Sequence, residues 1–421
     1  MKRVAPFALV IFLIAGRPVS GADFKLTPTG ESTGPGFIEI TGVEAGEFNP
    51  AIWQAGTLNL LPDIRSPLIE PQPGKYRNIY APSIVEISDG WRVFFGAWDG
   101  VPTGNDRIYS LVTKDFRSFD DRHTVIEHGL FQHVCNVSAL PTLRGGFALL
   151  ATAYPDARGL NKPAFFASAD GKVWNGSPAP YSATSNDIVR IHGYEQYADA
   201  DINGMNVLLR DGAAFRIYFA NFKDFGRIYR ASGTNGQDYQ FDGPALSARA
   251  APNDVKLFRV GTTNWHLMGL HMNGGQTWFS LSPDGMNFAP MQPLFTHASP
   301  VERYIVAVGW VTRGEQAQAG RQLLGVLYGA GAKPTLDQNR IFARWLQPRI
   351  VIRTADGNRL TGTYARGPAR QLIPLEKNSI ANVQVFDESG GQLRATMKSQ
   401  RLESGRVYRL ERCVAATASG G

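Results

Sequence analysis

The chain has 421 residues, among them 45 glycines, 26 prolines and 11% aromatic side chains, and it carries a formal charge of +7. That length exceeds what one ordinary core holds, and the glycine, proline and aromatic content favours a turn-rich all-β chain over a helical one. The positive excess is spread evenly, with no basic block or basic–aromatic stripe, which excludes the nucleic-acid-binding classes.

The N-terminus reads as an export signal. Met1-Lys2-Arg3 is basic, Ala5 to Gly16 is apolar, and the small residues Ser20-Gly21-Ala22 precede the polar Asp23. This apolar run is shorter than the roughly 20 residues needed to span a bilayer, so cleavage after residue 22 is expected, with no stable membrane span afterwards. The expected compartment is secreted or periplasmic. Two cysteines, Cys135 and Cys413, make no disulfide framework, and Cys135 in its apolar strand is expected to be a buried thiol.

Residues 23–75 are expected to wrap the next domain, with Phe37-Ile-Glu-Ile40 as a possible ring-closing strand. From residue 76 an internal repeat takes over. A strand ending in a hydroxyl residue runs into a tight turn with Asp, Asn or Gly, and an aromatic follows. The copies are Thr113-Lys-Asp-Phe-Arg-Ser-Phe119, Ser168-Ala-Asp-Gly-Lys-Val-Trp174 and Ser282-Pro-Asp-Gly-Met-Asn-Phe288, with a looser one from Ser232 to Phe241. Such turns connect antiparallel strands and return an aromatic to the core. Each copy is preceded by further strand-like segments, as in Ser83 to Ile87, Trp91 to Phe95 and Arg107 to Val112. A fifth unit without the turn runs from Ile305 to Trp345. Five units of about 50 residues, each with three or four strands, predict a five-bladed β-propeller over 76–348. Residues 349–412 hold short alternating segments and predict a small C-terminal β-sandwich-like domain. Residues 413–421 read as a tail without structure.

The segment Asn78-Ile-Tyr-Ala-Pro-Ser-Ile-Val-Glu86, with Asp89-Gly90-Trp91 and the Ser-x-Asp-Gly-x-x-Trp/Phe turns, resembles the blades of five-bladed furanosidases: arabinanases, β-xylosidases, invertases and levansucrases. The resemblance spans roughly residues 78–348. It implies a carbohydrate pocket on the propeller axis, with carboxylates at the starts of the inner strands acting as base or nucleophile, stabiliser and acid, two of them roughly 5–9 Å apart. This chain departs from that pattern: Ala81-Pro82 stands where such enzymes often carry Asp-Pro, and blade two offers His133 and Asn136 without a carboxylate.

The catalytic candidates at inner-strand starts are therefore Asp201, Asp254 and, as acid, Glu302. Each has a second reading as a cap on local backbone. Asn78, Asn136 and Asn203 recur at equivalent strand starts, where amides either bond sugar hydroxyls or satisfy the ring of strand ends. Arg77, Lys256 and Arg303 would give a positive lining. Trp98 and Asp99 are expected in a loop between second and third strands, where Trp98 either stacks on a sugar ring or packs at the blade end. His133 and His271 complete the candidate binding residues. No phosphate loop, nucleophile elbow or His/Cys metal cluster occurs, so no organic cofactor or zinc is expected; an axial calcium ion held by Asp201, Asn203 and Asp254 is the one metal the residue types allow. Two functions remain open: a glycoside hydrolase acting on a poly- or oligosaccharide, and a non-catalytic carbohydrate- or protein-binding propeller.

Overall fold

A computed structural model describes residues 24–72, 77–98, 105–142, 145–155, 159–203, 206–316 and 318–412. The expected signal segment 1–22, Asp99, Cys413 and the tail lie outside the described residues. No helix among the described residues is long and apolar enough to cross a membrane.

Five sheets form the five blades, all-β as the repeat predicts; each is antiparallel apart from a short parallel outer strand on two of them, Tyr181–Ser182 and Arg190–His192. The innermost strands are Asn78–Ile87, His133–Pro141, Val207–Asp211, Ala251–Val260 and Tyr304–Arg313, and each blade then steps outward through consecutive hairpins. The repeated turn sits between the third and fourth strands and is fixed by local side-chain bonds. Ser168 Oγ accepts the Gly171 N–H at 2.8 Å, while Asp170 Oδ1 accepts Lys172 N–H at 2.8 Å and Val173 N–H at 3.0 Å. Ser282 and Asp284 repeat the arrangement at 2.9 and 2.8 Å. The aromatics after these turns are buried: Trp174 entirely, Tyr239 and Phe288 almost so. Short hydroxyl and carboxylate side chains compete well for nearby backbone N–H groups, which makes this turn legible in sequence.

The ring closes with a strand from the N-terminal segment. Leu60–Pro62 pairs antiparallel with Arg340–Leu346 as the outermost strand of blade five. Phe37–Thr41, the segment expected to do this, instead pairs with Arg370–Pro374 and Arg406–Arg412. The pattern of Phe37–Thr41 suits any half-buried strand, and its partners lie more than 300 residues away, so no local signal separates the two placements. Ahead of the closing strand, the helix Pro50–Gln54 sends Trp53 into the core between blades four and five, edge-on to Phe279 and Trp310.

The second domain takes strands from both ends of the chain. One sheet has Phe24–Ser32, Arg406–Arg412, Phe37–Thr41, Arg370–Pro374 and Tyr364–Ala365; the other has Arg359–Thr361, Ile350–Thr354, Ser379–Phe386 and Leu393–Leu402. Leu26, Ile38 and Ile40 from the first pack with Ile350, Ile352 and Val383 from the second in one apolar core. The N-terminal strands therefore belong to this sandwich rather than to a wrap around the propeller.

Near the axis the inner strands carry no further β-partner, so their N–H groups need other acceptors. Neighbouring blades supply them. Ser83 Oγ accepts Ala139 N–H at 2.8 Å and Ser138 Oγ accepts Leu208 N–H at 3.0 Å. Asn253 Oδ1 and Asp254 Oδ2 do the same for Val308 and Trp310, at 3.0 and 2.9 Å. The chain approaches itself closely here: a Cβ on Gly309 would sit 2.1 Å from the Pro82 carbonyl oxygen, so only glycine lets blades five and one meet.

Candidate functional site

Register shifts interrupt the inner strands at Tyr80/Ser83, Cys135/Ser138, Pro252/Asp254 and Ile305/Ala307. In blades one and two the irregularity carries a non-glycine residue at positive φ, Ala81 at 52° and Asn136 at 55°. Such backbone is unfavourable for L-residues, and bulges of this kind re-aim side chains beside functional sites. Here they bring Tyr80 and Asn136 to an axial cavity of about 470 Å³ at the starts of the inner strands.

The cavity has a polar floor. Asn136 Nδ2 donates to the Tyr154 hydroxyl at 2.8 Å, and the Cys135 thiol lies in hydrogen-bond contact with both Tyr80 and Tyr154. Burial, reinforced by the Asp106 carboxylate, pushes the Tyr80 hydroxyl and the Cys135 thiol well up; burial and then Cys135 do so for Tyr154. All three stay protonated at neutral pH and present neutral donors. Asn203, His271 and Asn273 complete the polar lining. His271 Nδ1 accepts from Asn253 Nδ2 across 2.6 Å, and burial pushes the ring down to about 4, so it is an uncharged imidazole at pH 7.

A second buried histidine, His266 in blade four, is also pushed down to about 4 by burial. Unfolding returns both to about 6.5, so the unfolded chain binds more protons between those values. Their contribution is complete above pH 6.5 and is lost as pH falls through about 4, at most about 3 kcal/mol per histidine. Urea midpoints measured from pH 7 to pH 4 should fall over that window, and His266→Phe should remove about half of the slope.

Of the residues expected to bind ligand, Asn136, Asn203 and His271 line the cavity. Asn78 is buried instead, its Oδ1 accepting Asn339 N–H at 2.9 Å. His133 Nδ1 accepts the Asp106 N–H at 3.0 Å and lies 3.1 Å from the Asp106 carboxylate; its ring meets Tyr154 edge-on from outside the cavity. Arg77 lies over the Trp98 ring at 5.2 Å and is engaged at both ends of its fork by Asp337, at 2.6 and 2.7 Å. Arg303 is exposed and does not line the cavity. Lys256 lines a different cavity, of about 710 Å³, at the opposite end of the inner strands.

The three candidate carboxylates do not meet in the axial cavity. Asp254 is buried, holding Trp310 N–H and Lys256 Nζ, the latter at 3.1 Å. Its position in the fold is the one Ser83 and Ser138 occupy in blades one and two, a tie between neighbouring inner strands. Glu302 caps the turn Ser299–Glu302 by accepting the Ala298 and Ser299 N–H groups, and it also accepts the Tyr328 hydroxyl and pairs with Arg344 at 3.4 Å. Asp201 is half-buried beside the cavity, next but one to Asn203; its Oδ1 accepts Asn161 Nδ2 at 2.7 Å, and its carbonyl accepts the N–H of Phe222, a lining residue. Among the described residues no Asp or Glu lines the cavity, and no group of three or more His, Cys, Asp or Glu converges on a metal position. The Asp201, Asn203 and Asp254 set does not fit a calcium ion, because the Asp254 carboxylate is already committed to an ammonium and a backbone N–H.

The sequence reading missed Tyr80, Tyr154, Phe222, Phe225, Met272 and Leu336, all of which line the cavity. Tyr80 stands inside the quoted blade-one segment, but an aromatic in a β-strand reads as core until the bulge turning it inward is known.

No protein-family model and no curated protein sequence matches the chain. Solved structures do. A protein from Bacteroides thetaiotaomicron, provisionally described as a glycosidase, is 13% identical with a TM-score of 0.50, covering 72% of this chain and 99% of its own. The catalytic domain of an α-L-arabinofuranosidase from Coprinopsis cinerea is 14% identical with a TM-score of 0.48, covering 69% and 98%. An α-L-arabinofuranosidase from Podospora anserina is 13% identical with a TM-score of 0.49, covering 69% and 97%. At such identity the likeness speaks to fold: the chain carries the five-bladed β-propeller on which glycoside hydrolases of this kind are built.

Proposed function

We propose that this protein is an exported carbohydrate-binding propeller whose ligand sits in the axial cavity above Asn136, Tyr154 and Tyr80. One observation carries the reading. The polar part of the cavity lining consists of amides, neutral phenols and an uncharged imidazole, the donors and acceptors that suit sugar hydroxyls, while no carboxylate among the described residues lines it. Glycoside hydrolysis by acid–base chemistry needs two carboxyl groups flanking the scissile bond, and Asp254 and Glu302 are committed to backbone and cationic partners elsewhere. Export is supported by the basic-then-apolar sequence of residues 1–22.

A hydrolytic reading keeps one support. Asp201 is half-buried at the cavity's edge and is the candidate carboxylate best placed to serve as an acid or base. Titration calorimetry against a panel of methyl glycosides and short oligosaccharides separates the site from a surface. Binding of at least one sugar is expected, weakened about tenfold or more in Asn136→Ala and in Tyr154→Phe, since each removes a group from the floor. Unchanged affinity in both variants would show that the sugar binds elsewhere.

A further inference from the structure

The polar floor is the smaller part of the cavity lining; its mouth is different. Among the described residues ten large apolar side chains are exposed, and three of them line this one cavity: Phe222 at 41%, Met272 at 43% and Leu336 at 50%. They come from the same connection in three successive blades, between the second and third strands. Phe222 lies between Ala214–Ala220 and Arg227–Gly233, Met272 between Thr263–His271 and Gln276–Ser282, and Leu336 between Gln322–Gly331 and Arg340–Leu346. Equivalent loops project from one face of a propeller, so the three share a rim. Phe225 stacks on Phe222 at 5.0 Å with an interplanar angle of 27°, widening the apolar wall.

Single exposed apolar residues are normal, but a cluster continuous with a cavity marks a binding surface. The chemistry changes with depth: amides, phenols and imidazole below, rings and aliphatic groups above. A polysaccharide threading this mouth would place hydroxyls against groups that cannot bond them, each at a desolvation cost. A ligand that is polar at one end and apolar at the other meets both levels.

We propose that the cavity takes an amphipathic glycoside sugar-first, with an alkyl or aryl aglycone lying against Phe222, Met272 and Leu336. The inference rests on the carbohydrate reading of the floor. The test compares methyl glycosides with the n-octyl glycosides of the same sugars, below their micelle concentrations, together with 1-octanol. For a sugar that binds, the octyl glycoside should bind at least about tenfold more tightly than the methyl glycoside, since several methylenes leave water. Phe222→Ser/Leu336→Ser should abolish that advantage, so that octyl and methyl glycosides bind this variant equally; Leu393→Ser, an exposed site in the sandwich, should leave the advantage as in the wild type. Equal affinities for octyl and methyl glycosides would overturn the inference and leave the sugar reading standing. Octanol binding as tightly as the octyl glycosides would overturn the sugar reading itself, and no binding by any methyl or octyl glycoside would overturn both.

Discussion

Replacing Asp63 by alanine is expected to cost about 3–5 kcal/mol of stability, the range for removing one partner of a buried ion pair. Asp63 follows directly on the ring-closing strand, and its side chain is fully buried. One oxygen accepts Arg65 N–H and Nε at 2.9 Å each. The other accepts Arg65 Nη2 at 2.6 Å, Trp345 Nε1 at 2.7 Å and Gly367 N–H at 2.9 Å. Trp345 belongs to the third strand of blade five, and Gly367 precedes the sandwich strand Arg370–Pro374. A single carboxylate thus ties the closing strand, the blade it completes and the second domain. The alanine variant strands an indole N–H, a backbone N–H and a mostly buried guanidinium at once. A side-chain amide in its place keeps one acceptor oxygen, so Asp63→Asn should fall between wild type and alanine. Urea or thermal unfolding reads this directly; a loss below about 1 kcal/mol in Asp63→Ala would mean that the closing strand is held by something else.

The second large effect concerns Asp254, the residue type a search for catalytic carboxylates selects. Asp254→Ala should also lose about 3–5 kcal/mol, because Lys256 is buried and loses its partner while Trp310 N–H loses its acceptor. Burial already pushes the Lys256 ammonium down, and Asp254 opposes that push. Removing both charges should therefore restore part of the loss: Asp254→Ser/Lys256→Met supplies a hydroxyl like those of Ser83 and Ser138 and leaves no orphaned ammonium, while the buried Arg321 still loses the opposing charge of Asp254. The rescued protein should bind ligand with wild-type affinity, since neither residue lines the axial cavity. A stable double variant that no longer binds would return Asp254 to the functional site.

These two aspartates show which parts of the molecule local sequence encodes. The blades are legible because Ser168-Ala-Asp-Gly and Ser282-Pro-Asp-Gly each build their turn from bonds within three residues, and the aromatic that follows is buried by the same geometry. The pairing of Phe24–Ser32 with Arg406–Arg412 has no such signal, because the partners lie at opposite ends of the chain. In the site, Asn136, Asn203 and His271 were legible from their places at the ends of blade strands. Asp254 and Glu302 occupy comparable places, yet their carboxylates turn to a neighbouring blade and to a local turn. The alternation of a strand does not reveal which way a bulge rotates a side chain, and bulges decide the matter at Tyr80 and Asn136. The apolar rim was hidden for the converse reason: Phe222, Met272 and Leu336 have the composition of core.

The central claim is that the axial cavity binds sugar without hydrolysing it. The direct measurement is product release from a glycoside already shown by calorimetry to occupy the site, at protein concentrations that saturate it, over hours. The account predicts bound ligand recovered intact, with no free sugar above the buffer control. Release of sugar that disappears in a folded Asp201→Ala variant still able to bind would contradict it and identify the protein as a hydrolase working from blade three.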